Sequence, residues 1–130
     1  MSEKLIWKFL KGQGFNDFGA AGILGNIHAE SACSPVNLQN SGNTRLGMTD
    51  TEYTAAVDNG SYQNFVRDAC GYGLCQWTYW SRKEALLKLA RSKGKSIGDI
   101  SVQLDFLVAE LRQLFLILLE GLDEAGNLLM

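Results

Sequence analysis

Glu30 is the residue whose type and position could do chemistry. It ends the stretch Ala20-Ala21-Gly22-Ile23-Leu24-Gly25-Asn26-Ile27-His28-Ala29-Glu30-Ser31, in which most other side chains are apolar or small. Apolar neighbours withhold solvent from an anion, and the carboxyl end of a helix adds partial negative charge, so both effects favour a protonated acid. A carboxylic acid that keeps its proton near neutral pH is what cleavage of a glycosidic bond requires, because the leaving oxygen takes up a proton as the bond breaks. The same spacing also fits a surface glutamate in the last turn of a helix. Such an acid ordinarily works with a second carboxylate, as base or nucleophile. Asp50, Glu52, Asp58 and Asp68 all follow Glu30; Thr49 and Glu52 have capping-box spacing, which occupies Glu52. Asp50 is taken as the candidate partner, against the plainer reading of a charge at a helix terminus.

A second constellation is Cys70-Gly71-Tyr72-Gly73-Leu74-Cys75-Gln76-Trp77. Gly71 and Gly73 let backbone approach a ligand closely, Gln76 offers both a donor and an acceptor, and Tyr72, Trp77, Tyr79 and Trp80 offer flat faces for sugar rings. An ordinary turn feeding aromatics into a core fits the same residues. The amide-rich stretch 34–48, with Gln39 among its candidate ligands, adds polar groups of the kind that bind sugars.

Metal and nucleophile chemistry fit less well. His28-Ala29-Glu30 matches the H-x-E of zinc deaminases, but Cys70 and Cys75 are separated by four residues and by glycines that break helix. The single histidine lies on the same helix as Cys33, five residues away, which does not set up an in-line pair. No metal and no cofactor is expected.

The elements that must position these residues are mostly helices. Ser2 can cap a first helix carrying Ile6, Phe9 and Leu10, stopped by Gly12 and Gly14. Asn16 caps a second, which runs from about Asp17 to about Cys33, before Pro35. Gly22 and Gly25 within it make sense if another backbone packs closely there, so this helix is expected to be central and buried. Residues 34–48 read as a loop or small irregular hairpin. A capped helix starts at Thr49 and closes at Asn59-Gly60. Ser61 opens a short helical segment through Val66. Ser81 and Glu84 form a second capping box for a helix ending at Gly94, and Asp99 starts the longest periodic run, which extends to about Gly121. The fold class is therefore mainly α, with at most a small β element.

At 130 residues the chain is expected to form one domain, residues 1–130, around one core. Twelve basic and 14 acidic residues leave no electrostatic footprint for nucleic acid. Lys4, Lys8, Lys11 and Asp17 interrupt any apolar stretch near the start, so no cleavable secretion signal is expected and synthesis is placed in the cytoplasm. Three cysteines argue against a full disulfide framework, although a Cys70–Cys75 bridge stays open. Leu114 to Leu119 is far shorter than the ~20 residues of a membrane span, so it reads as a core segment or a self-association face for a homodimer.

Together, Trp7-Lys-Phe-Leu10, Ala21-Gly-Ile-Leu-Gly-Asn-Ile-His-Ala-Glu-Ser31, Gly71-Tyr-Gly-Leu-Cys-Gln-Trp77 with Ser81-Arg82, and Gln103-Leu-Asp-Phe-Leu-Val-Ala-Glu-Leu111 resemble the phage tail lysozyme family, within the lysozyme-like superfamily. The resemblance covers residues 5 to about 111. It implies an α+β lysozyme-like fold that cleaves peptidoglycan between N-acetylmuramic acid and N-acetylglucosamine, in a phage tail or a lysin, in the virion or outside the cell at the bacterial wall. It places the catalytic acid on Glu30, and Tyr72 and Gln76 near the sugar. Beyond the Gln103 helix the chain departs from the family and resembles a truncated end. The rivals are a lytic transglycosylase, which needs one acid, and a non-catalytic wall-binding or tail module.

Overall fold

The computed structural model describes residues 2–121. Six helices follow in order: α1 (Ser2–Gly12), α2 (Asp17–Ser31), α3 (Asn40–Leu46), α4 (Asp50–Asn59), α5 (Trp80–Ser92) and α6 (Ile100–Glu120). The mainly α expectation holds. The β element among the described residues reduces to two isolated antiparallel bridges, Leu38 with Tyr72 and Tyr72 with Trp77.

Helix ends follow the sequence where side chains cap them. The Asn16 carboxamide oxygen accepts from the Gly19 amide at 2.8 Å, Thr49 and Glu52 form the reciprocal capping box of α4, and Asp99 accepts from the amides of Ser101 and Val102. The α2 helix stops at Ser31, two residues early, because Ala32 and Cys33 take the left-handed conformation at φ 52° and 62°.

Four expectations are corrected. Residues 40–46 form the short helix α3 rather than a loop or hairpin. Gly42 makes this possible: a Cβ there would lie 3.0 Å from the Cys70 sulfur, so the helix rests directly on the glycine-aromatic segment. Residues 61–66 are not helical: Ser61 bends back to Asn59 and Ala56, residues 62–64 are irregular and a turn begins at Phe65. The Ser81–Glu84 capping box does not form; α5 opens at Trp80 without a side-chain cap, and Glu84 pairs with Lys88 instead.

The fourth concerns α2. It packs on α1 through one face, and only Ala20, Ile27 and Ser31 are buried. Phe18 is 90 % exposed, and a Cβ at Gly22 or Gly25 would meet nothing within 4 Å. The glycines therefore lie on an open face, and no close backbone contact offsets their helical cost.

The centre of the core is the bridge pair instead. Tyr72 and Trp77 are fully buried with Leu38, Tyr53, Phe65, Leu74, Leu86 and the first half of α6. Beyond Leu111 the same helix leaves the core, and Leu114 to Leu119 are 48–61 % exposed, so that run is not a core segment.

Candidate functional site

Two mutual backbone hydrogen bonds join Tyr72 and Trp77, of 3.1 and 3.0 Å, and close the turn Gly73-Leu74-Cys75-Gln76 between them. Gly73 sits at φ +84°, and a Cβ on it would lie 2.7 Å from the Gln103 oxygen, so only glycine fits. Three side chains fix this turn. The buried Gln103 carboxamide accepts from the Leu74 amide at 2.9 Å and donates to the Pro35 and Ile97 carbonyls, both at 2.7 Å. Gln76 donates to the carbonyls of Asn37 and Gly73 at 2.8 and 3.1 Å. The buried Ser31 hydroxyl donates to the Leu74 carbonyl at 2.8 Å.

Ser31 is the residue after Glu30, so this last bond ties the end of α2 to the turn. The negative charge of Glu30 is felt at the half-buried Cys75 thiol. Burial above all, then Glu110, push that thiol up to about 12; the Arg82 guanidinium opposes them and Glu30 adds to the rise. Cys75 in the turn thus feels charges carried by α2, α5 and α6. Arg82 grips Glu110 through two bonds of 2.8 Å, and the Trp77 indole N–H donates to the same carboxylate at 2.9 Å. The burial expected of Glu30 is not found: it is exposed to solvent, one residue before the Ser31 that bonds to the turn.

A family model described as phage tail lysozyme matches residues 2–127. The chain belongs to the phage tail lysozyme family. This supports a lysozyme-like cell-wall hydrolase of the glycoside hydrolase type, directed at peptidoglycan. No curated protein and no solved structure matches the chain. No helix among the described residues is long and apolar enough to cross a membrane.

The other candidate residues of this phage tail lysozyme relative fall in different places. Gln39 pairs with Gly71 through its backbone amide at 2.8 Å and its side-chain oxygen at 2.9 Å, beside the turn. Asp50 accepts from the Leu38 amide and from Asn43, each at 3.1 Å, and so anchors the segment between α2 and α3. Tyr72 and Trp77 have no exposed surface: the Trp77 ring packs on Phe106, and the Tyr72 hydroxyl pairs with Thr54. Their faces therefore belong to the core and are not open to a sugar. Tyr79 is 63 % exposed. Cys33, Cys70 and Cys75 are free thiols, so no Cys70–Cys75 bridge is present.

Sequence reasoning missed the supporting groups. Gln103 and Glu110 interrupt the apolar stripe of α6 two turns apart, a pattern that marks inward polar groups aimed at a common partner. It missed a buried network as well. Lys83 donates to Asp68 at 2.6 Å and to the Cys70 carbonyl at 2.7 Å, while Tyr53, Tyr62 and the Cys70 amide donate to Asp68. Burial lowers the Lys83 ammonium from the usual lysine range, against the pull of Asp68. The network fixes the start of the glycine-aromatic segment, and Arg45 closes it from outside through the Asp68 carbonyl and the Cys70 sulfur at 2.7 Å.

Proposed function

We propose that the chain cleaves the glycan of peptidoglycan as a muramidase, between N-acetylmuramic acid and N-acetylglucosamine, with Glu30 as the general acid. The observation that supports this is the Ser31–Leu74 bond, which holds the helix end carrying Glu30 against the turn of Cys75 and Gln76. An exposed acid at the lip of a rigid turn can reach a polymer lying across it. A bound sugar would displace the water around Glu30 and favour the protonated form that the leaving oxygen needs. In this reading Gln39, Gln76 and Tyr79 serve the substrate, and the protein acts at the bacterial cell wall as part of a phage tail or a lysin.

A second reading, a lytic transglycosylase, is favoured by one observation. The carboxylates around the turn are already engaged, Glu110 by Arg82 and Asp50 by Leu38 and Asn43. A single-acid mechanism, in which the sugar's own hydroxyl attacks, needs no second carboxylate. Glu30→Gln assayed on purified cell walls tests the acid: clearing falls to background if Glu30 donates the proton, and undiminished clearing overturns the assignment. Mass spectrometry of the products separates the two chemistries, since hydrolysis leaves a reducing end and internal attack leaves an anhydro end.

A further inference from the structure

Directly after Trp77 the chain leaves the core, and Thr78, Tyr79 and Trp80 line a cleft of about 510 Å³ with Val66, Arg67 and Ala69. Tyr79 is 63 % and Trp80 43 % exposed. Their rings lie 6.0 Å apart at 35°, and the Arg67 guanidinium sits 5.5 Å from the centre of the Trp80 ring. Neither ring is buried, and among the described residues no carboxylate pairs with Arg67. Two aromatic faces and a cation are thus held together in the open, on backbone fixed by the start of α5 and by Ala69 at φ +59°.

The cleft adjoins the turn. Oxygens of Gln76, Thr78 and Gln39 converge around Gly71, where an added Cβ would meet them at 2.9, 3.2 and 3.4 Å. Thr78 belongs both to this polar group and to the cleft wall. A polar strip therefore runs from Gln76, next to Cys75 in the turn, through Thr78 to the aromatic pair.

We propose that the cleft of Arg67, Tyr79 and Trp80 is a glycan subsite, which takes a pyranose ring on its aromatic faces and a carboxylate carried by that sugar's substituent on Arg67. The weakly polar C–H face of a pyranose packs on an aromatic ring, and a planar guanidinium held over the Trp80 ring offers its N–H fork to a carboxylate. A neutral polysaccharide would use the rings and leave the cation idle, so the site selects an acid-substituted glycan over chitin. This subsite deepens the reading of the chain as a peptidoglycan-cleaving enzyme and rests on it.

The test is binding, measured by tryptophan fluorescence and calorimetry in the Glu30→Gln background so that no probe is consumed. Three probes are compared: chitotetraose, which has no carboxylate; a peptidoglycan tetrasaccharide whose peptide stems carry the carboxylates and hold the lactyl group as an amide; and the same tetrasaccharide after amidase treatment, which removes the stems and frees the lactyl carboxylate. Arg67→Ala is expected to weaken binding of a carboxylate-bearing probe about tenfold or more and to leave chitotetraose unchanged. The Tyr79→Ala, Trp80→Ala double variant is expected to weaken all three, with circular dichroism showing the fold retained. An Arg67 effect on the stemmed probe that is lost after amidase treatment assigns the carboxylate to the peptide stem, and an effect that appears only after the treatment assigns it to the freed lactyl group; an effect on both shows that Arg67 takes either carboxylate, and each of these outcomes supports the subsite. Equal binding of every probe by Arg67→Ala and its parent overturns it, as does unchanged chitotetraose binding by the double variant. Wild-type protein that clears cell walls, together with probe binding that shows no dependence on these residues, sinks the subsite alone, whereas wild-type protein that fails to clear and a parent that binds no probe sink the reading beneath it.

Discussion

The Ser31 hydroxyl lies 2.8 Å from the Leu74 carbonyl oxygen and 3.1 Å from that of Ile27, so it joins the last turn of α2 to the closed turn between Tyr72 and Trp77. Ser31→Ala leaves the buried Leu74 carbonyl without this donor and is expected to cost about 1–3 kcal/mol in urea unfolding. If the bond also positions Glu30, activity on cell walls falls more than stability does, by up to roughly 100-fold, since small displacements of a reacting group cost that much. The loss should appear in kcat rather than KM. A stability loss with unchanged kcat would assign Ser31 to folding only.

Cys75 reports the charges around the turn. Burial raises its thiol to about 12 with help from Glu110, while Arg82 opposes. Glu110→Gln removes the anion but keeps an oxygen for the Trp77 indole, so the thiolate meets less repulsion and the thiol pKa falls. Alkylation by iodoacetamide at mildly alkaline pH, followed by mass spectrometry at Cys75, should then speed up by about tenfold for each unit lost. An unchanged rate would mean that burial alone governs the thiol.

Much of the helical frame was legible because its determinants are local. Asn16, the Thr49–Glu52 pair and Asp99 cap their helices through bonds to amides two or three residues away, which sequence spacing records directly. The site was only partly legible. Glu30 stood out by its position, but its exposure depends on which face of α2 meets α1, and the glycines that suggested burial line the open face. Tyr72 and Trp77 were expected to bind sugar and prove to be core, because aromatic residues alone carry no label for inside or outside. The Ser81 box failed because α5 begins two residues earlier, with Tyr79 at the N-cap. The Asp68–Lys83 pair is separated by 15 positions and set by tertiary packing, so no periodicity could announce it.

Alkaline pH is expected to unfold the chain through its tyrosines. Burial, above all other causes, raises the Tyr53, Tyr62 and Tyr72 hydroxyls above the ordinary tyrosine range, and Asp68 adds to this for the first two. Below about pH 10 both folded and unfolded chains keep these protons, so their contribution to stability is fully present. Above it the unfolded chain releases protons that the folded chain retains, and stability falls by roughly 1.4 kcal/mol per pH unit for each of the fully buried Tyr53 and Tyr72. The tyrosinate absorbance of these residues should therefore rise together with the loss of helical circular dichroism. Ionisation well ahead of unfolding would contradict their burial.

The Asp68–Lys83 pair makes an asymmetric prediction. Both side chains are buried, so removing either leaves the other without its counter-charge at a cost of about 3–5 kcal/mol. The remaining partners differ. After Lys83→Met, Asp68 keeps three donors: the hydroxyls of Tyr53 and Tyr62, at 2.6 and 2.9 Å, and the Cys70 amide at 2.9 Å. After Asp68→Asn, Lys83 keeps the Cys70 carbonyl at 2.7 Å and a longer contact to Tyr53 at 3.3 Å, and the new amide group mismatches donors that had faced a carboxylate. Asp68→Asn should be the more destabilising change in urea. Its deficit should shrink as pH rises toward the lysine range, because an ammonium already lowered by burial escapes the penalty by losing its proton while the unfolded chain still holds one. Equal deficits with no pH dependence would show that the ammonium, rather than the carboxylate, is held by the wider network.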